Sequence, residues 1–253
     1  QHILDGKGKK MSKSSGNVVN PQELLKNYGA EAIRFWSAIE GDILQQDLNC
    51  SEERISSELK TINKIINVSK FVMQFEKPTL KIKLQNLDST FIDYIEDLTK
   101  FADERYSNYD FYSPALKLRE FLWEIFASNY IEMIKPRTYN HEKKFSEEES
   151  NSAKHTLHFL LERFLLLSYP IIPQISSLIS KEKGINLLSC EFPKIKSEQS
   201  DINLIRSLIE FNSQVWKIKK EKGLSLRNEI SGIIIPKELK KFEKDLKASH
   251  NLK

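Results

Sequence analysis

Apolar residues recur at helical spacing along most of this chain. Ile55, Leu59, Ile62, Ile66 and Met73 fall on one face of a helix that Ser51 opens, with Glu52 and Glu53 at its positive end. Lys77-Pro78 breaks that run. After Asp88, which reads as an N-cap, the pattern returns in Phe91, Tyr94, Ile95, Leu98, Phe101 and Ala102. Ser113-Pro114 opens a helix carrying Leu118, Phe121, Leu122, Ile125 and Phe126 to about Lys135-Pro136. Ser146 with Glu149 three residues on forms a capping box, followed by Leu157, Leu160, Leu161, Phe164 and Leu165, and then a stop near Pro170 and Pro173. These runs predict a helical bundle from about Ser51 to Ile179.

The ends of the chain differ. Asn20-Pro21 starts a short helix that Gly29 ends, and a second runs from Ala30 to about Ile39 with Ala32, Ile33 and Trp36 turned inward. A polar connector near Lys194–Ser200 precedes a helix from Asp201 to about Lys222, which Gly223 closes. Ile230–Ile235 reads as a short strand, and Glu238–Ala248 as a charged, frayed helix. The expected fold class is mainly α with a small mixed α/β tail. Its expected parts are residues 1–50, a helical bundle at 51–193 and a small subdomain at 194–253.

Composition narrows the class. Of the 253 residues 40% are hydrophobic, enough for a core, and 29% are charged. No run approaches the roughly 18 apolar residues of a membrane span. Cys50 and Cys190 have no metal-ligand spacing, which makes a reduced cytoplasmic setting the default. A net charge of +4 permits a nucleic-acid partner without requiring one. The chain opens on Gln1 close to its densest motif, so a piece of a longer protein is expected.

That motif lies in Asp5–Gly16, which holds three glycines, four lysines and three serines and is expected to be a mobile loop. Within it, Lys10 and Lys13 stand three residues apart and can converge on one polyanion. Small serines beside them allow close backbone approach. A lysine brings a movable point charge to a triphosphate whose charge shifts toward a leaving group.

The string Lys10-Met11-Ser12-Lys13-Ser14 resembles the KMSKS signature of class I aminoacyl-tRNA synthetases, which join an amino acid to ATP and then esterify tRNA. The resemblance implies catalytic roles for Lys10 and Lys13, and ATP contacts from Met11, Ser12, Lys13 and Ser14. It continues through Gly16-Asn17-Val18-Val19-Asn20-Pro21 and Tyr28–Trp36, similar to the stem-contact region that follows KMSKS in the valine, isoleucine and leucine enzymes. Asn63–Phe71, Tyr130–Tyr139 and Leu167–Pro173 are most similar to the valine branch. The bundle is thereby expected to bind an anticodon arm. The implied substrates are valine and ATP (with Mg2+), and the implied partner is tRNA(Val). No bound cofactor is expected for this chain alone. The string His-Ile-Gly-His, the other phosphate-binding signature of the class, does not occur in the sequence.

Candidate RNA contacts are Lys135, Arg137 and Tyr139, with Lys217 and Lys220 on a basic stripe that also includes Lys219 and Lys222. Trp123 and Tyr130 read as core first. His155 and His158 share a helix face but lack a third ligand. Three other readings stay open: an isoleucine or leucine enzyme, a stand-alone helical tRNA-binding module, and a purely structural bundle.

Overall fold

The computed structural model describes residues 2–42, 47–79, 82–193 and 201–253. The connector expected at 194–200 lies outside the described residues. Strands β1 (Ile3–Leu4) and β2 (Leu48–Asn49) pair in parallel. The helices are α1 (Pro21–Ile39), α2 (Glu52–Met73), α3 (Asn86–Ser107), α4 (Tyr112–Glu120), α5 (Ile131–Tyr139), α6 (Glu147–Ser168), α7 (Pro173–Glu182), α8 (Ile202–Glu221) and α9 (Glu243–His250). The fold is mainly α, as the sequence pattern predicts. Among the described residues no helix is long and apolar enough to cross a membrane.

Compactness divides the chain into two units of interleaved stretches. The first comprises Gln1–Lys70, Thr99–Glu120 and Glu162–Lys194; the second comprises Phe71–Leu98, Phe121–Leu161 and Ile195–Lys253. In the first, Leu24, Trp36, Cys50 and Ile55 form a buried cluster, with Met11, Val19, Tyr28 and Ile33 packed against it. Gly29 kinks α1 with a left-handed φ of 76°, so the two short helices expected there are joined across it. Asn20 caps α1, its side chain accepting from Gln22 N. Ser51 Oγ accepts from Arg54 N at the start of α2.

The buried face of α2 departs from the apolar pattern. Ile65 is the buried residue and Ile66 only half-buried, and Glu58 also points inward. Glu58 is matched there by Arg119 on α4, whose Nε lies 3.2 and 3.1 Å from its two oxygens, and by the Thr61 hydroxyl at 2.9 Å. A paired carboxylate can occupy a core position that hydrophobicity alone assigns to an apolar side chain.

In the second unit, Phe91 packs on Tyr130 at 4.7 Å and Phe121 on Phe126 at 5.6 Å. Residues Phe121–Tyr130 are wound as a π-helix between α4 and α5. The wider winding accompanies Asn129 Nδ2 donating to Glu124 O at 2.7 Å, while Asn129 Oδ1 accepts from Asn212 on α8 at 2.8 Å. The helix then runs past Pro136 to Tyr139, beyond the expected stop. Asn140, at φ 44°, ends it by donating its N–H to Pro136 O. The Ser146–Glu149 capping box forms, with Ser146 N donating to Glu149 at 2.7 Å and Glu149 N to Ser146 Oγ at 3.2 Å.

Three sequence expectations change. Asp88 is not a cap: α3 begins at Asn86, and Asp88 is buried as the partner of an arginine. The Ile230–Ile235 strand reduces to one bridge, Ile230 to Leu252, because Gly232 takes a left-handed φ of 81° inside the segment and Pro236 follows its end. The last segment is docked rather than frayed. It winds as a 3-10 turn at Lys237–Phe242 followed by α9, and it buries Leu239, Phe242 and Leu246.

Candidate functional site

The Asp5–Gly16 loop is an ordered network of hydrogen bonds. Asp5 Oδ1 accepts from the backbone N–H of Lys7 (2.9 Å) and of Lys9 (2.8 Å), and its Oδ2 accepts from Asn17 Nδ2 at 2.9 Å. Asn17 Nδ2 also donates to Lys10 O at 3.2 Å, and Asn17 Oδ1 accepts from Ser12 N at 3.0 Å. The Asn17 amide and the backbone donors hold the Asp5 carboxyl below its usual range. Ser12 caps the 3-10 turn Lys13–Ser15, accepting from Ser15 N, and Gly16 closes that turn at φ 62°. The Ser12 hydroxyl also lies 3.1 Å from Ser14 Oγ and 2.6 Å from Ser15 Oγ.

Of the predicted ATP contacts, Lys13 and Ser14 are exposed and Ser12 is half-buried. Lys10 is exposed, and neither Lys10 nor Lys13 forms an ion pair among the described residues. Their ammonium groups are therefore available to a polyanion. Met11 packs against the Leu24–Trp36–Cys50–Ile55 cluster, so its side chain anchors the loop from below. The β1–β2 pair fixes the loop's entry: His2 N donates to Asp47 Oδ1, and Cys50 N to Leu4 O. Sequence reasoning misses Asp5 and Asn17. Their signal is local: an Asp-Gly turn opening the loop and an Asn directly after the glycine that closes it.

The second candidate region lies in the second unit. Tyr139 is exposed at the end of α5. Its ring meets Phe75 at 5.2 Å and Phe71 at 6.3 Å edge-on, and stacks on His141 at 5.5 Å with planes 15° apart. Lys135 Nζ sits 5.9 Å from the Phe71 ring centre and pairs with Glu132. Lys135, Tyr139 and His141 line a cleft of about 510 Å3, together with Lys144, Arg227 and Asn251. Glu132 and Glu142 line the cleft as well and pair with Lys135 and Lys144, so the cleft combines an exposed flat ring with mixed charge, a setting that suits an unstacked base.

Arg137 corrects the expectation of a phosphate contact. It is 1% exposed, and its fork is closed on Asp88, with Nη1 to Oδ2 at 2.8 Å and Nη2 to Oδ1 at 2.7 Å. Its Nε lies 3.1 Å from Asp245 Oδ1 on α9, close enough for charge pairing though not aligned as a hydrogen bond. Tyr130 and Ser152 also donate to Asp88. Burial pushes Asp245 up to about 6, against the pull of Arg137. Arg137 thus ties α5 to α3 and α9 and reaches no solvent.

The α8 stripe also divides. Lys217 and Lys220 are exposed and form no ion pair among the described residues. Lys219 is buried, donating to the carbonyls of Leu226 (2.7 Å), Asn228 (2.7 Å) and His250 (2.6 Å). Burial lowers its pKa. Beside it His250 Nε2 meets Asn212 Oδ1 at 2.7 Å, and burial with the nearby ammonium pushes His250 down to about 4. His158, on α6, has a structural bond: its Nε2 donates to Phe75 O at 2.7 Å.

Comparison with known proteins matches two segments of the chain. Residues 88–234 match the anticodon-binding domain of tRNA ligase, and residues 2–51 match the tRNA synthetases of class I (I, L, M and V). The chain belongs to the anticodon-binding domain family of tRNA ligases, with a class I synthetase segment before it. It is 34% identical to a valine–tRNA ligase from Pyrobaculum aerophilum, an alignment covering 98% of this chain and 32% of that protein. Among solved structures, Mycobacterium tuberculosis methionyl-tRNA synthetase bound by methionyl-adenylate shares the fold with a TM-score of 0.58 and 19% identity, over 72% of this chain and 37% of its own. A ternary complex of LeuRS, tRNA and LeuAMS from Agrobacterium radiobacter gives a TM-score of 0.54 and 16% identity, over 77% of this chain and 24% of that one. The chain spans about a third of the length of the curated relatives it matches.

Proposed function

We propose that this chain supplies the KMSKS loop and the anticodon-arm binding region of a cytoplasmic ligase that activates valine with ATP and esterifies it to tRNA(Val). The observation that carries the reading is the pairing of two facts. Lys10 and Lys13 stand exposed and without an ion pair among the described residues, on a hydrogen-bonded KMSKS loop, and the valine–tRNA ligase relative aligns with 98% of the chain. In this account Lys13 stabilises negative charge as pyrophosphate leaves, and Lys10 supports it. Ser12 and Ser14 line the loop, and Met11 holds it to the core. ATP enters as substrate with Mg2+ as its counter-ion. The loop's one carboxylate, Asp5, accepts from Lys7 N, Lys9 N and Asn17 Nδ2, and the loop offers the triphosphate the ammonium groups of Lys10 and Lys13.

Tyr139 and His141 are assigned to an unpaired base of the anticodon loop, with Lys135 at the cleft and Lys217 and Lys220 on phosphates. Amino-acid-dependent ATP–pyrophosphate exchange by the full ligase, run with valine, isoleucine, leucine and methionine, tests the reading. Exchange driven by valine well above the other three is expected. Preference for isoleucine or leucine would move the chain to another branch, and no exchange with any of them would defeat the enzyme reading. The 253-residue chain alone is expected to give no exchange, because it carries only one of the class's two phosphate-binding signatures.

A further inference from the structure

We propose that Asn17, acting with Asp5, is a positioning pair that presets the KMSKS loop so that Lys10 and Lys13 face the triphosphate; this deepens the reading above and rests on it. Asn17 is placed for the task. A single planar amide reaches three points of the loop: Asp5 at its start, Lys10 O at its middle and Ser12 N before the 3-10 turn. Asp5 receives the amide on one oxygen and the N–H groups of Lys7 and Lys9 on the other. The points the two side chains hold run from Asp5 to Ser12, with Lys10 among them and Lys13 next in the chain. Neither side chain carries a free donor or a cation to a ligand, so the pair acts through the lysines.

The roles of the amide's two ends are chemically distinct. Its NH2 must donate to the Asp5 carboxylate, and its oxygen must accept from Ser12 N. The single change Asn17→Asp keeps the acceptor but sets two carboxylates against each other. Combining Asp5→Asn with Asn17→Asp restores the match. The amide moved to the start of the loop donates to the carboxylate moved to its end, and the amide oxygen still accepts from Lys7 and Lys9. At Lys10 O the amide's donated bond is lost and a carboxylate oxygen takes its place, an unfavourable contact that the restored bonds must offset.

A loop held loosely displaces its lysines by an ångström or so, which lowers turnover by roughly 10- to 100-fold without changing how the amino acid is bound. The test uses the full ligase as wild type, Asn17→Ala, Asn17→Asp and the double exchange Asp5→Asn/Asn17→Asp. Valine activation is measured per active site, with sites counted by the adenylate burst. Amide hydrogen exchange is followed at Lys9 and Ser12. Expected are a 10- to 100-fold fall in kcat for both single variants, a KM for valine within about twofold of wild type, lost protection at Ser12, and recovery of most of both by the double exchange. A loss accounted for by fewer active sites, with kcat per site unchanged, would overturn the proposal. So would a double variant as poor as Asn17→Asp. If wild type itself activates no valine, the functional reading fails, and the pairing is then decided by exchange at Ser12 alone: protection unchanged in Asn17→Ala overturns it, and protection lost in Asn17→Ala but restored in the double supports it.

Discussion

The Lys10–Ser14 loop and the Arg137 cluster use positive charge in opposite ways. In the loop, a scaffold of backbone, amide and hydroxyl hydrogen bonds, several of them accepted by the Asp5 carboxylate, leaves two ammonium groups without ion pairs among the described residues. In the cluster, two carboxylates, a phenol and a serine hydroxyl enclose one guanidinium at 1% exposure. The difference is what surrounds each cation. Glycines and serines cannot cover a lysine, whereas three helices can enclose an arginine and must then supply its counter-charges. A cation left uncovered can meet a ligand. A cation closed on carboxylates holds elements together.

The sharpest way to break this contrast is to remove each charge and ask which property falls. Arg137→Met leaves Asp88 and Asp245 facing each other without their partner, and a broken buried pair costs about 3–5 kcal/mol. Urea unfolding should show that loss, with a lowered melting temperature. Lys13→Ala is expected to shift the same curve by less than about 0.5 kcal/mol, as an exposed substitution does. Equal stability of the two variants would remove the contrast.

Next in size is the catalytic side. In the full ligase Lys13→Ala should raise the barrier to valine activation by roughly 2–4 kcal/mol, seen as a fall in kcat with valine binding little changed. An unaltered activation rate would remove Lys13 from the chemistry.

Much of this division is legible in the residues. KMSKS is a contiguous string, so Lys10, Lys13 and the serines can be proposed as a site without a structure. The capping box at Ser146–Glu149 and the Asn20-Pro21 start are readable for the same reason. Pairings across long separations are not. Glu58 with Arg119, and Asp88 and Asp245 with Arg137, are matched only when distant helices meet. A charged residue in an amphipathic run looks solvated until its partner is known, which is why Arg137 and Lys219 read as surface residues. The π-winding at Phe121–Tyr130 likewise accompanies the Asn129 side chain's bonds to Glu124 O within the turn and to Asn212 on α8, and no apolar period signals it.

On the RNA side, Tyr139→Ala should weaken binding of a valine anticodon stem-loop by about 1–3 kcal/mol, the range for one base stacked on an aromatic ring. Tyr139→Phe should retain most of it. Replacing Lys217 or Lys220 should weaken all RNAs alike and flatten the salt slope by about 0.7 per lysine. A Tyr139→Ala protein that binds as well as wild type would move the base contact elsewhere.

The smallest expected effect is a pH dependence that nearly cancels. Asp245 is raised from 3.8 to about 6 in the folded chain, so between these values the unfolded state ionises first and stability falls as pH rises. His250 is lowered from 6.5 to about 4, so over a similar range the unfolded state holds more protons and stability climbs with pH. Each slope is at most about 1.4 kcal/mol per pH unit, and the two oppose. Relative to wild type, Asp245→Asn should gain a rising stability between pH 4 and 6, and His250→Gln a falling one. Parallel curves for all three proteins would contradict both assignments.

The most direct test of the central claim is a titration of the 253-residue chain with the valine anticodon stem-loop and a scrambled-loop control across a salt series. The account predicts that both affinities fall with salt along similar slopes while the valine loop binds more tightly at every concentration. Equal affinity for the two loops throughout would contradict anticodon recognition by this chain.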